Sequence, residues 1–354
     1  MRRITRIATV GIASAALALS ATACGKSSSD ESSSPSSSSD SKALKVAIAY
    51  DIGGRGDQSF NDAAFAGLQK AEKELGAKGA EAEPSDGESD ADKIQRLTSL
   101  ARKGNNPVIG VGFAYAPAVA KVAKQFPKTT FGIIDDTSKT GPNIANLVFS
   151  EEQGSYLAGV AAAKVSKSHT VGFIGGVEVP LIKKFEAGFV QGVTDTDPKA
   201  KVLKQYLTQA PNMDGFSKPD LGKAAAQGQL DKGADVIYSA AGLAGSGAIE
   251  ATAKAGKWAV GVDSDQYLQK GLAQYKDHIL TSVTKDVQGS VFNLIKSVKD
   301  GKPQSGEVRV GLAVDGVGLA DSNPAYKKLA DVIAAVEKAK ADIVAGKITV
   351  KTTP

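Results

Sequence analysis

Asp51, Asp57, Ser59, Phe60 and Asn61 stand on one short stretch, interleaved with Gly53, Gly54 and Gly56. Two carboxylates, a hydroxyl, an amide and an aromatic ring can together hold a neutral ligand with a flat face and several hydroxyls or ring nitrogens. They suit a phosphate poorly, because the carboxylates would repel it. The plainer assignment is that Asp57 or Ser59 caps a helix, Phe60 staples that helix to a sheet, and the glycines only turn the chain. One cap needs one polar residue, and here there are four.

The elements that must position this cluster lie on either side of it. Val46, Ala47, Ile48 and Ala49 read as a buried strand, and Ala64, Leu68 and Ala71 then recur at helical spacing. Strand, glycine loop and helix make the first half of a βαβ unit, whose ligands sit beyond the carboxyl ends of the strands. The alternation continues along the chain. Strands are expected at Pro107–Gly112, Phe131–Ile134, Ile144–Phe149, Thr170–Ile174, Val202–Leu207, Val236–Ala240, Trp258–Val262 and Leu280–Val283, and Val308–Val314 reads as extended. Helices are expected at Ala63–Leu75, Ala91–Lys103, Pro117–Phe126, Gly154–Val165, Glu178–Val193, Leu221–Lys232, Ser246–Ala255, Val287–Val298 and Ala325–Val344. This is the pattern of parallel sheets covered by helices. Asp51, Gly112, Asp135, Gly175–Gly176, Gly242, Asp263 and Lys285 fall at or just past strand ends, so two lobes would bring such ends together across a cleft.

The N-terminus reads as a leader rather than as part of the fold. Arg2, Arg3 and Arg6 precede an apolar run from Ile7 to Leu19, and Ala21-Thr22-Ala23-Cys24-Gly25 resembles a bacterial lipobox with alanine where leucine is usual. Cys24 is the only cysteine, so it forms no internal disulfide and is expected to carry lipid after removal of residues 1–23. Residues 24–42, rich in serine after the cysteine, read as a flexible tether spanning roughly 23 Å. Removing residues 1–23 takes three arginines and no acids from a formal charge of +5 and leaves +2. That balance argues against nucleic acid as a partner.

Enzymatic apparatus is not apparent. His169 and His278 are isolated, no Cys/His cluster has metal-ligand spacing, and neither a G-x-S-x-G elbow nor a Walker A loop occurs. The run from Gly242 to Gly247 lacks the dinucleotide spacing. No cofactor and no metal are expected.

The blocks DQSFNDAAFAGL, FGIIDD, FSEEQGSYLAGVAA, VGFIGGVEVPLIKKFEAGFVQG, ADVIYSAAGLAGSGAIEAT, AVGVDSDQ and LTSVTKD resemble, in order, those of the basic membrane protein family of bacterial lipoproteins. The resemblance spans Val46 to about Asp321. Members are substrate-binding proteins of nucleoside ABC importers, and purine nucleoside receptors are the best-matched type. The resemblance implies a type I periplasmic-binding-protein-like α/β fold, two Rossmann-like lobes with parallel sheets joined by three crossovers. These would lie near Leu147–Glu151, His278–Ser282 and Leu312–Ala320, giving lobes of 43–148 plus 281–312 and 149–280 plus 313–354.

The resemblance also implies a site. Phe60 would stack on one face of a nucleobase and Phe185, from the opposite lobe, on the other. Asn61 and Asp135 would hydrogen-bond the base edge. Asp263 would accept from ribose hydroxyls, Lys285 would donate to them, and the Gly242 backbone would approach the sugar. Asp51 and Asp57 would stand nearby, at sugar or base. Each residue has a plainer assignment: Phe185 shares helical spacing with Ile182 and Phe189, Asp263 could cap a helix, and Lys285 could be a solvated lysine. The implied protein is lipid-anchored on the extracytoplasmic face of the cell membrane and delivers nucleosides to ABC permease and ATPase subunits. A receptor for a sugar or other polar metabolite, and a nucleoside-sensing lipoprotein without transport, are the alternatives.

Overall fold

The computed structural model describes residues 43–354; Cys24, the leader and the tether fall outside that range. The first lobe opens with β1 (Lys45–Ala49), α1 (Phe60–Leu75), β2 (Lys78–Ala82), α2 (Asp90–Arg102), β3 (Val108–Gly110), α3 (Ala116–Gln125), β4 (Phe131–Ile134) and β5 (Ile144–Phe149). The second lobe follows with α4 (Glu151–Val165), β6 (Thr170–Glu178), α5 (Pro180–Thr196), β7 (Lys201–Gln209) and α6 (Pro219–Leu230). It continues with β8 (Val236–Ala240), α7 (Ala244–Lys254), β9 (Trp258–Asp263) and β10 (Ile279–Lys285). The chain closes with α8 (Val287–Lys299), β11 (Gly306–Val310), β12 (Val317–Leu319), α9 (Pro324–Lys327) and α10 (Ala330–Val344).

Two six-stranded sheets result, in the orders β11-β5-β4-β3-β1-β2 and β12-β10-β9-β8-β6-β7. Every pairing in the first is parallel; in the second only β12 runs antiparallel, against β10. The central strands are apolar on both faces because helices cover both sides: all of β4 and β5 is buried. Strand order reverses between β1 and β3 in one sheet and between β6 and β8 in the other. Such reversals open a crevice at the carboxyl ends of the strands, where α/β folds bind ligands.

The chain passes between sheets at Ser150, at Asp286 and over Gly311–Gly316. The second passage corrects the expected one at His278–Ser282, and with it the lobe boundary at 280/281. β10 runs on to Lys285, with Thr284 beside Asp263 of β9 and Lys285 beside Val317 of β12. Only Leu280–Val283 reads as a strand, because Thr284 and Lys285 are polar; their ladder partners extend it. Lys285 therefore belongs to the second lobe.

Other departures have similar causes. β2 carries no apolar run and is an edge strand recruited by β1, in register from Lys45↔Lys78 to Ala49↔Ala82. Gly175 and Gly176 do not end β6 but lie inside it. A Cβ on Gly175 would stand 2.6 Å from the Tyr206 ring, and one on Gly176 2.5 Å from the Phe216 ring. The glycines admit those rings. The closing helix expected at Ala325–Val344 is broken at Leu329, and the extended stretch at Val308–Val314 stops at Val310.

Helices α4 and α5 meet closely. A Cβ on Gly188 would lie 2.1 Å from the carbonyl oxygen of Glu152, and one on Gly192 2.1 Å from that of Tyr156. Backbone against backbone, this pair fixes where the side chains of α5 enter the cleft.

Candidate functional site

A cavity of about 60 Å3 lies between the two sets of strand ends. From the first lobe it is lined by Asp51, Asp57, Phe60, Asn61 and Asp135, and from the second by Phe185, Gly242, Asp263 and Lys285. All nine residues singled out in the sequence thus surround one space.

The loop after β1 is braced by its own polar groups. The Asp57 carboxylate accepts the N–H groups of Ser59 (3.0 Å), Asn61 (2.7 Å) and Asp62 (3.1 Å), and so caps α1. Asn61 donates its amide to Asp57 at 3.2 Å and accepts the Asp51 N–H at 3.0 Å. Burial pushes the Asp57 carboxyl up to about 6 against the pull of those N–H groups. Asp51 has less opposing support, chiefly the Ile52 N–H at 2.8 Å, and burial raises it to about 7. Its Oδ2 packs against Gly112, where φ is +92° and a Cβ would fall 2.0 Å away. Only glycine fits there.

Ser59 does not cap the helix. Its hydroxyl reaches the other lobe and donates to Asp263 Oδ2 at 2.7 Å. Ser264 Oγ returns a bond to the Ser59 carbonyl at 2.8 Å, and Gln266 Nε2 donates to the Gln58 carbonyl at 3.1 Å. The loop that carries Phe60 is therefore fastened to the second lobe.

Asp135 and Asp263 follow the same backbone rule. Each stands at a strand end in the left-handed region, with φ of 67° and 64°. For a residue other than glycine that conformation is uncommon and costs about 1–3 kcal/mol, and it turns both carboxylates into the cleft. Between them stands Lys285, its Nζ 2.6 Å from Asp135 Oδ2 and 3.5 Å from Asp263 Oδ1. Asp135, across the lobe boundary, is thus its nearer partner, rather than Asp263 on the neighbouring strand. Burial works to discharge the lysine, but Asp135, Asp263 and Glu151 outweigh it and hold the ammonium above its ordinary value. Among the described residues, Asp135 Oδ1 is buried without a partner.

Two phenyl rings from opposite lobes flank the ammonium. Lys285 Nζ is 4.5 Å from the Phe60 ring centre and 5.7 Å from that of Phe185. Phe189, one turn beyond Phe185, instead packs on Phe173 in the second lobe's core with centroids 6.1 Å apart. Helical spacing therefore covers both a wall residue and a core residue on one helix.

Further wall residues were not legible in the sequence. Phe113, after β3, and Phe216, in a 3-10 turn after β7, meet edge-on across the lobes with centroids 6.4 Å apart. Leu181 and Leu243 complete the apolar side. Neither phenylalanine sits in a periodic pattern, and only the fold brings them together. At about 60 Å3 the space is far below the roughly 300 Å3 floor of ordinary small-molecule pockets. A flat ligand enters only if rings or lobes move apart.

Residues 44–352 match the family described as ABC transporter substrate-binding protein, PnrA-like. The chain belongs to this family. It is 37% identical over 330 residues to a CD4+ T-cell-stimulating antigen of Listeria monocytogenes, covering 89% of this chain and 90% of that one. It is 36% identical over 324 residues to the ABC transporter nucleoside-binding protein BmpA of Lactococcus lactis, covering 87% and 89%. A solute-binding protein of an ABC transporter system from Aeropyrum pernix superposes with a TM-score of 0.76 at 26% identity, covering 87% and 93%. The fold is that of two-lobed periplasmic solute-binding proteins, and the family is one of ABC substrate-binding proteins with a ligand and transporter partners.

Proposed function

We propose that the protein binds nucleosides, purine nucleosides foremost, between its lobes and delivers them to the permease and ATPase subunits of an ABC importer. A lipid on Cys24 would hold it at the extracytoplasmic face of the membrane.

The observation that carries this reading is the make-up of the cavity wall. Two rings from opposite lobes suit a flat base, each stack contributing roughly 1–3 kcal/mol. Among the described residues, four carboxylates, Asp51, Asp57, Asp135 and Asp263, stand against one ammonium, that of Lys285, in the same wall. That surplus of acceptors fits the hydroxyls and ring N–H groups of a nucleoside and repels the phosphate of a nucleotide. The Asp135 carboxylate, in the same wall, offers a ligand donor a further acceptor. Asp263 and Lys285 would hold the ribose, and Gly242, with φ of +52°, would let the backbone approach it. Asp57 and Asn61 have most of their hydrogen-bonding capacity engaged with the chain, so their part is to hold the loop as well as to meet the ligand. The name of the Lactococcus lactis relative points the same way.

Because the rings come from different lobes, a base between them favours the closed state over the open one. A thermal-shift panel of adenosine, guanosine, inosine, cytidine, uridine, free bases, ribose and AMP tests the reading. A nucleoside at a hundredfold its Kd adds about 2.7 kcal/mol, or roughly 4 °C for a body of this size. Shifts with nucleosides and none with ribose or AMP are expected. A shift with ribose alone would make the protein a sugar receptor. A panel that stays flat after unfolding, dialysis and refolding would overturn the assignment.

A further inference from the structure

Glu151 opens α4 directly after the first passage between lobes and is 1% exposed. Its Oε2 lies 3.5 Å from Lys184 Nζ of α5, while Oε1 is shut off from water with no hydrogen-bond partner among the described residues. Asp135, in the other lobe, repeats the pattern: Oδ2 receives Lys285 at 2.6 Å, and Oδ1 is buried with no partner among the described residues. Both residues line one interlobe cavity of about 350 Å3, next to the ligand cavity. Two carboxylates on one cavity wall, each with an orphaned oxygen and each feeling the other's charge, resist being ionised together, and one proton held between them would satisfy both oxygens.

The surrounding charges favour such a proton. Lys184 on α5 and Lys285 on β10 face Asp135, Asp263 and Glu151, and Asp51 after β1 also bears on Asp135, so negative charge is in surplus. Glu152 of α4 stands between Lys184 and Arg309 of β11, and the Tyr238 phenol of β8 is held neutral by burial.

We propose that Glu151 is a positioning residue for the ligand cleft: its carboxyl holds a proton and donates it to Asp135 Oδ1 across the lobe boundary. The proton is taken from solvent when the lobes close and returns when they part; only that O–H bond is made and broken. Asp135 is thereby kept facing the ligand with its charge shared between Glu151 and Lys285. Burial, reinforced by the charge of Asp135, pushes Glu151 up to about 7, in keeping with a proton held near neutral pH.

The coupling to ligand rests on the nucleoside reading above; the held proton does not. Titration calorimetry with inosine, in buffers of different ionisation enthalpy between pH 5 and 8, measures protons taken up on binding. The wild type is expected to take up close to one proton below about pH 7, with affinity falling up to tenfold per pH unit as pH rises through that window. Glu151→Gln, whose amide donates the same hydrogen bond permanently, is expected to bind as the wild type does at low pH. It should lose that uptake and that slope. Equal uptake and equal slope in both proteins would overturn the proposal. Should inosine not bind, or the variant not fold, wild-type protein labelled with carbon-13 in its glutamate carboxyls decides. A glutamate titrating near 7 supports the held proton, and none titrating above the ordinary range refutes it. A flat calorimetric trace beside a titrating glutamate would refute the nucleoside reading alone.

Discussion

Replacing Lys285 by methionine removes the one ammonium from the cavity wall while keeping most of its volume. In the native protein Nζ lies 2.6 Å from Asp135 and 3.5 Å from Asp263, all three side chains being buried. Without the lysine, two carboxylates remain in a low-dielectric cleft with no counterion between them. Breaking a buried pair by removing one partner costs about 3–5 kcal/mol. For about 310 folded residues, at roughly 2.1 cal/mol/K each, unfolding entropy is ~0.65 kcal/mol/K, so the melting point should fall by about 5–8 °C. The loss should depend on pH. Freed of Lys285, a carboxylate escapes its penalty by taking up a proton, so the deficit should be large at pH 8 and much smaller at pH 5. Calorimetric melting of the wild type, Lys285→Met, Asp135→Asn and the double variant at both pH values measures this. The double variant should recover part of the loss, because of the two carboxylates that Lys285 contacts only Asp263, still bonded to Ser59, is left. Equal losses at pH 5 and pH 8 would mean that packing rather than charge is at stake. No loss at either pH would refute the electrostatic account of the cleft.

Asp51, raised to about 7 by burial from 3.8, and Asp57, raised to about 6, bind protons more tightly folded than unfolded. Their contribution is complete below the ordinary carboxylate range and is lost as pH rises through about 6–7, so urea midpoints should fall between pH 5 and 8. Asp51→Asn should flatten the upper part of that fall; an unchanged slope would remove Asp51 as its source. Asp57→Ala deletes the cap on α1 and should cost about 1–2 kcal/mol, with faster amide exchange in the first turn of α1. An unaltered urea midpoint would speak against the cap. Gly188→Ala places a Cβ 2.1 Å from the Glu152 carbonyl and should destabilise by about 1–3 kcal/mol in thermal unfolding, since α4 and α5 must part. A neutral result would mean the helices have slack. Phe216→Ala removes the edge-on contact with Phe113 across the lobes, worth about 0.5–1.5 kcal/mol, and should speed ligand release by roughly 2- to 12-fold in stopped-flow measurements. An unchanged release rate would take that contact out of closure.

The layered α/β architecture and the neighbourhood of the site are legible in the chain's local pattern. Hydrophobic periodicity is a local property, so β1, β4, β5 and β8 are legible from their own apolar residues, and so are the loops that follow them. Elements defined by their partners were not. β2 is a strand because β1 pairs with it, and β10 extends to Lys285 because Asp263 and Val317 stand beside its last residues. The polar residues of the site show the same division. That Asp51, Asp135, Asp263 and Lys285 lie at strand ends follows from the alternation of elements. That Lys285 turns to Asp135, 150 residues earlier, and that Ser59 reaches Asp263, 204 residues later, was decided only by the docking of the lobes. Whether Asp57 caps a helix or faces a ligand, and whether Glu151 has a partner, depended on that docking too. Burial and hydrogen-bond pairing are properties of the space around a group, and the neighbouring letters of the chain do not contain them.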